Sequence, residues 1–285
     1  MVHLPSPSER QVACELGFTV AEGGVTLVLQ VAPAAGSGDV RDEELILELD
    51  GRRLTAGVIE VPGSHGNRAH VVRSEAGELH VAYRASVRPV VAIGEGVAGG
   101  RDDATDPEAL VYLRQSRYCP SDEMGGFAAA ELAHLPVDAD RPRAIAEWVF
   151  ERLAYEGGAS GPNDTAIDTL MAGRGVCRDF AHLTAALCRA VEIPARVAAV
   201  YAPGLSPMDF HAVAEVRVDG AWQVLDSTRL APRSALVRIA TGRDAADTAF
   251  ASTFRGQAEL VSAEMTAVID GDLPPDDHVA ATALA

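Results

Sequence analysis

Between residues 210 and 228 the chain carries Asp219-Gly220, flanked by two alternating segments, Phe210 to Val218 and Ala221 to Thr228. A two-residue Asp-Gly loop signals a type I′ β-hairpin, because both central residues take positive φ and match the twist of the flanking strands. Such a turn leaves one register: Val218 pairs with Ala221, Asp226 lies opposite Val213, and His211 lies opposite Thr228. Side chains alternate faces along a strand, so His211, Val213 and Asp226 share one face. His211 and Asp226 become diagonal neighbours, within reach of two polar side chains. A slip of one residue would send Asp226 to the other face. The hairpin therefore predicts a base held by a carboxylate.

A nucleophile is expected upstream. Gly173 and Gly175 bracket a tight turn, after which Phe180, Leu183, Thr184, Leu187, Cys188 and Val191 recur at helical spacing. Cys177 falls in the first turn of that amphipathic helix. Unpaired N–H groups and partial positive charge at a helix start favour the thiolate, which is the nucleophile, and can receive an oxyanion. Cys188 sits in mid-helix, where cysteine is usually core filler. His182 lies five positions from Cys177, roughly 140° around the helix, and should point away from the thiol. Asp179 has two readings, a carboxylate complementing the helix N-terminus or a substrate contact.

Three stretches carry a family resemblance: Gly173-Arg174-Gly175-Val176-Cys177-Arg178-Asp179-Phe180-Ala181, His211-Ala212-Val213-Ala214-Glu215-Val216, and Trp222-Gln223-Val224-Leu225-Asp226. Their order and content resemble the transglutaminase-like superfamily, most of all its bacterial cysteine-peptidase-like branch, over residues 140–232. The resemblance implies a papain-like α+β core with Cys177 as nucleophile, His211 as general base and acid, and Asp226 as the residue that orients it. Two positions depart from the pattern: Val213 stands where members commonly have Trp, and Ser227 where they have Pro. Both bear on the groove and neither replaces a triad member. Some relatives hold the oxyanion with an indole or phenol. Tyr155, ahead of the glycine-rich loop leading to the nucleophile, is the candidate for that donor beside the Cys177 N–H.

The chemistry so implied is acyl transfer from an amide through a thioester. Hydrolysis of a peptide or isopeptide comes first, since no amine-binding site is evident. Amine transfer to protein glutamine is the alternative. A non-enzymatic binding protein that retains the fold is a third reading, and an aligned Cys, His and Asp argue against it. No metal or other cofactor is expected.

Charge narrows the partners. Lys and Arg number 24 against 41 Asp and Glu, a net charge of −17. Nucleic acid and anionic membranes call for a basic face, so neither is expected, and a peptide or protein substrate remains. Residues 1–13 have no basic stretch followed by an apolar one, and no apolar run reaches the ~18 residues of a spanning helix. Cys14, Cys119, Cys177 and Cys188 lack metal-type spacing. A reducing cytoplasm is the expected location.

The chain divides into two expected domains. Residues 1–118 show short alternating segments with turn signals, which predicts an antiparallel β-sandwich. Within it, Ala69 to Arg73 and Leu79 to Val87 flank Glu75-Ala76-Gly77-Glu78 and read as a hairpin. That hairpin could bring His70 opposite His80, with no third metal ligand in view. The sandwich could position substrate or form a homo-oligomer contact. Gly94 to Asp106 reads as a linker or a long loop, and Tyr118-Cys119-Pro120 marks the boundary. Residues 119–285 hold helices from Asp140 and Thr165, then the nucleophile helix and the hairpin. The acidic residues Asp270, Asp272, Asp276 and Asp277 read as a solvated turn, and Ala280 to Ala285 as a frayed tail.

Overall fold

The computed structural model describes residues 8–55, 57–89 and 105–284, so the expected linker over Gly94 to Asp106 lies almost wholly outside the described residues. The first part of the chain forms β1 (Arg10–Val20), β2 (Val25–Leu29), β3 (Asp39–Leu49), β4 (Arg52–Arg53), β5 (Val58–Pro62), β6 (Arg68–Ser74) and β7 (Gly77–Arg88). Helices α1 (Pro107–Tyr112), α2 (Gly125–Glu131) and α3 (Arg141–Arg152) follow. Then come β8 (Ala154–Tyr155), α4 (Ala166–Ala172), β9 (Arg174–Gly175) and α5 (Cys177–Ala190). The remainder is β10 (Ala195–Tyr201), β11 (His211–Val218), β12 (Ala221–Leu225), β13 (Val237–Gly242), α6 (Ala245–Thr248), β14 (Ala251–Phe254) and β15 (Ala258–Ile269).

The sandwich is built from a five-stranded sheet, β15-β1-β7-β3-β4, and a four-stranded sheet, β14-β2-β6-β5. Along β1 the alternation read from sequence holds: Val12, Cys14, Leu16, Phe18 and Val20 are all buried. They meet Leu27 and Leu29 of β2 and Val81 of β7 in one apolar cluster.

Three features differ from the sequence expectation. First, β14 and β15 belong to the sandwich although they fall within residues 119–285. β15 pairs with β1 from Arg10↔Ile269 to Val20↔Ala258 and covers an edge that would otherwise expose unpaired backbone groups. Second, β6 and β7 are not a hairpin. β6 pairs with β2 and β5, and β7 pairs with β1 and β3, so Glu75-Ala76 crosses between sheets. His70 is buried beside Glu60 and His80 is half-buried beside Glu15, in different sheets, so the two histidines do not face each other. Third, the end of the chain is docked. Val224 N–H donates to Thr282 O at 2.8 Å, and Leu284 packs with Val224 and Val213. Asp276 takes a bidentate bond from the buried Arg233, while Asp270, Asp272 and Asp277 stay exposed. Backbone pairing and a buried ion pair outweigh the fraying expected of a small-residue tail.

The papain-like core places α5 against the antiparallel sheet β12-β11-β10-β13. Every residue of α5 from Asp179 to Arg189 is buried, not only the stripe seen in sequence. Helices α3 and α4 cover one side and β10 and β11 the other, which is why small residues such as Ala185 and Ala186 occupy the second face. The two halves share apolar packing: Tyr201 and Ile239 of the core sheet join the sandwich cluster. The Tyr201 hydroxyl donates to Val31 O at 2.8 Å across that seam.

Candidate active site

The turn behaves as its sequence requires. Asp219 and Gly220 take φ of 51° and 79°, and the ladder runs Val218↔Ala221 to Ala214↔Leu225. One step further, beyond the end of β12, Asp226 falls opposite Val213 and its side chain meets His211 on the diagonal. The imidazole Nε2 lies 2.9 Å from Asp226 Oδ2, with both residues almost closed to solvent, at 1% and 5% exposure. The other carboxylate oxygen is held as well. Asp226 Oδ1 accepts from Thr228 N at 2.9 Å and from Thr228 Oγ1 at 2.7 Å. Sequence reasoning passed over Thr228, although Asp followed two positions later by Thr is the spacing of a local side-chain turn.

The second imidazole nitrogen, Nδ1, is buried and has no hydrogen-bond partner, which leaves it for the thiol. Burial disfavours the imidazolium, but Asp226 and the neighbouring Cys177 outweigh it and raise the His211 pKa from 6.5 to about 10. Asp226 is affected the opposite way. Burial pushes its carboxyl up, yet His211 and Thr228 prevail and the pKa falls below 3.8.

Cys177 opens α5, with Val176 as N-cap. Its thiol contacts Phe210 O at 3.8 Å, directly before His211 in the chain. The approach to this helix is fixed by Asp179, which is fully buried and accepts from Val176 N at 2.8 Å and from the Ser160 hydroxyl. These bonds match the reading of Asp179 as a carboxylate that stabilises the helix start. Gly175 follows from this packing: a Cβ there would lie 2.7 Å from the Asp179 Cβ. Arg178 adds a bond of 2.8 Å to Gly161 O, so the glycine-rich loop is clamped to the start of α5 by the two residues that follow Cys177.

Tyr155 reaches the site through tertiary structure. The short parallel ladder of β8 and β9 sets it opposite Gly175, two residues before Cys177. The side chain is 47% exposed and its ring lies 5.9 Å from Phe180. Burial of the hydroxyl, with Cys177 beside it, pushes the phenol up to about 12. His182 points away from the thiol, as its helical offset predicts. It stacks on Tyr118 with centroids 5.1 Å apart and accepts from Ala245 N at 3.1 Å. Burial lowers its pKa to about 3, which suits a neutral acceptor.

Beside Cys177 and His211 opens a cleft of about 510 Å³. Phe210, Ile239 and Phe250 form much of its wall, with Arg178 and Asp209 also lining it. The stretch 245–251 that walls it was not anticipated from sequence. Among the described residues, no group of three or more His, Cys, Asp or Glu is placed to hold a metal ion. No helix among them is long and apolar enough to cross a membrane.

A helix that starts with a cysteine and packs on an antiparallel sheet, which in turn offers a histidine and an aspartate, defines the papain-like α+β fold. The sequence profile of the transglutaminase-like superfamily matches residues 128–227. A crystal structure of a candidate cysteine protease from Cytophaga hutchinsonii is similar over nearly the whole molecule. It is 30% identical, the match covers 95% of this chain and 94% of that one, and the TM-score is 0.82. The chain belongs to the transglutaminase-like superfamily. An uncharacterized protein of Mycobacterium leprae is 41% identical over 58 residues, 20% of this chain and 21% of that protein's length. The periplasmic domain of TgpA from Pseudomonas aeruginosa is more distant, at 20% identity over 77% of this chain and 90% of that one with a TM-score of 0.39. Membership and fold together support a thiol-dependent activity.

Proposed function

We propose that the protein is an enzyme that hydrolyses an amide bond, in a peptide or isopeptide, through a Cys177–His211–Asp226 triad. The observation that carries this reading is the two-sided imidazole. Nε2 is engaged by Asp226 at 2.9 Å while Nδ1 is buried without a hydrogen-bond partner, and Cys177 lies close enough to the ring to favour its charged form. A binding protein would have no use for a histidine so divided, in a buried place where each unpaired polar group carries a cost.

Cys177 Sγ gives its proton to His211 Nδ1 and attacks the substrate carbonyl carbon, and the carbonyl oxygen takes the electron pair. The Cys177 N–H, at the start of α5, lies where it can donate to that oxyanion, with the Tyr155 hydroxyl as second donor. The tetrahedral species collapses, the C–N bond breaks, and the imidazolium hands its proton to the leaving amine. A thioester remains on Cys177. Water then attacks it with His211 as base, the C–S bond breaks, and acid and thiol are released. Asp226 holds the ring pose and stabilises its charged form throughout.

The test is a library of peptides and isopeptides incubated with the protein and with Cys177→Ala, products read by mass. Cleavage that adds one water, and that Cys177→Ala lacks, is the expected result. Products that instead carry an added amine would replace hydrolysis with amine transfer. Turnover retained in Cys177→Ala would overturn the assignment of the nucleophile.

A further inference from the structure

We infer that the cleft beside Cys177 binds a large apolar side chain of the peptide substrate, and that Phe250, held in place by the sandwich, selects it. This rests on the amide-hydrolysis reading above and supplies its substrate class.

The wall begins at the thiol. Phe210, whose carbonyl faces Cys177 Sγ at 3.8 Å, stacks on Phe250 with centroids 4.7 Å apart and planes 18° from parallel. Ile239 lies behind them, and Ala199, Ala249 and Ala251 leave open the space that longer side chains would fill. The neutral polar side chains Gln30, Tyr118 and Thr248 of the lining have their donors engaged. Gln30 Nε2 donates to Asp247 O and Ala249 O, at 3.0 and 3.2 Å. The Tyr118 hydroxyl donates to Pro162 O and that of Thr248 to Asp244 O. Of the charged groups besides His211, Arg178 donates to Gly161 O and Ser160 Oγ, and Asp209 is exposed and accepts from Phe210 N. Against the wall formed by Phe210, Ile239 and Phe250 a charged side chain would shed water without gaining a matched partner, whereas an apolar one gains by leaving water.

The dimensions of this subsite are set by the sandwich. Phe250 directly precedes β14, whose Ala251 pairs with Leu29 of β2. Gln30 follows that strand and ties the stretch from Asp247 to Ala249 with its amide, while its N–H donates to Phe250 O at 2.9 Å. On the opposite side, His182 of the nucleophile helix accepts from Ala245 N at 3.1 Å. The wall is thus pinned both to the sandwich and to the helix that carries the nucleophile, which assigns the sandwich a part in substrate selection.

The test reads occupancy of the cleft through protection of Cys177 from iodoacetamide. Capped tripeptides Ala-X-Ala, with X as Phe, Leu, Gly, Lys or Glu, compete with the reagent in wild type, Phe250→Ala and Ala249→Leu. In wild type, half-protection should need at least about 10-fold less peptide for Phe or Leu than for Gly, Lys or Glu, the lower end of pocket discrimination. Phe250→Ala should reduce that ratio to below about 3-fold, and Ala249→Leu, which fills the space and keeps the aromatic stack, should favour Gly over Phe by a similar factor. Equal protection by Lys or Glu peptides in wild type, or an unchanged ratio in both variants, overturns the inference. Cleavage is followed by mass in the same samples. Preference without any cleavage supports the subsite and counts against hydrolysis, whereas cleavage without preference overturns the subsite alone.

Discussion

His211 Nε2 and Asp226 Oδ2 lie 2.9 Å apart at the open end of a hairpin whose Asp219-Gly220 turn begins eight positions after His211 and ends six before Asp226. The side chains meet because Asp219 and Gly220 both take positive φ and so fix which strand positions are opposed. Thr228 then fills the second carboxylate oxygen of Asp226 with two donors. The carboxylate is left with one free direction, and the imidazole occupies it.

Asp226→Asn should damage turnover while leaving the fold intact. The two Thr228 donors require an acceptor, so the amide oxygen will take that side and the NH₂ will face His211 Nε2. This forces the ring proton onto Nδ1, the atom that must accept from the thiol. The corresponding change in a serine-protease triad, a worked case for this arrangement, costs about 10⁴ in rate. A thiol is intrinsically more nucleophilic, so about 10- to 1000-fold is expected in kcat/KM, with the circular dichroism spectrum unchanged. Inserting one residue between Asp219 and Gly220 should abolish turnover more completely, by breaking the register. Full turnover in Asp226→Asn alongside an inactive Cys177→Ala would reduce the triad to a dyad.

Cys177 should be alkylated first. The thiols of Cys14, Cys119 and Cys188 are buried, and burial pushes their pKa values up to about 11, 12 and 12. Cys177 is the partly exposed cysteine of the four. Limiting iodoacetamide at neutral pH, followed by peptide mapping, should find the label on Cys177 before any other site. Faster labelling of one of the buried three in the folded protein would contradict the assignment.

Stability should depend on pH through the His211–Asp226 pair. The His211 pKa is raised in the folded state, from 6.5 to about 10. Its contribution is therefore complete below about 6.5 and is lost as pH rises toward 10, with a span on the order of a few kcal/mol. Asp226 is depressed, so its share is present above its ordinary value of 3.8 and disappears as pH falls through the lower folded value. Urea midpoints measured from pH 6 to 10 should fall in wild type and flatten in Asp226→Asn. An equal slope in both would mean that the pair contributes no linkage.

Tyr155→Phe should slow catalysis by about 10- to 100-fold, scaled down from the loss of a fully enclosed oxyanion donor. The half-exposed ring keeps its packing on Phe180 in the variant, so the loss reports the hydroxyl. The effect should fall on kcat with KM little changed, because the interaction matters in the transition state. A change confined to KM would make Tyr155 a substrate contact.

Local rules decided a definite part of this molecule. The Asp219-Gly220 turn, the inward alternation of β1, the Thr165–Asp168 capping box and the placement of Cys177 in the first turn of α5 all depend on residues close in sequence. Turn geometry, strand pleat and helix capping are short-range, so the sequence by itself determined the helix start at Cys177 and the face that His211 and Asp226 share. Only the tertiary structure decided what depends on pairing between distant segments. β15 returns to complete the sandwich beside β1, and β6 and β7 separate into different sheets. Tyr155 reaches the thiol through a two-residue ladder, and Gln30 sets a cleft wall more than two hundred residues further along the chain. An alternating strand is compatible with many partners, and the choice among them is made by which edges and apolar faces the whole chain can cover at once. That choice is a property of the assembled core, so no window of the sequence contains it.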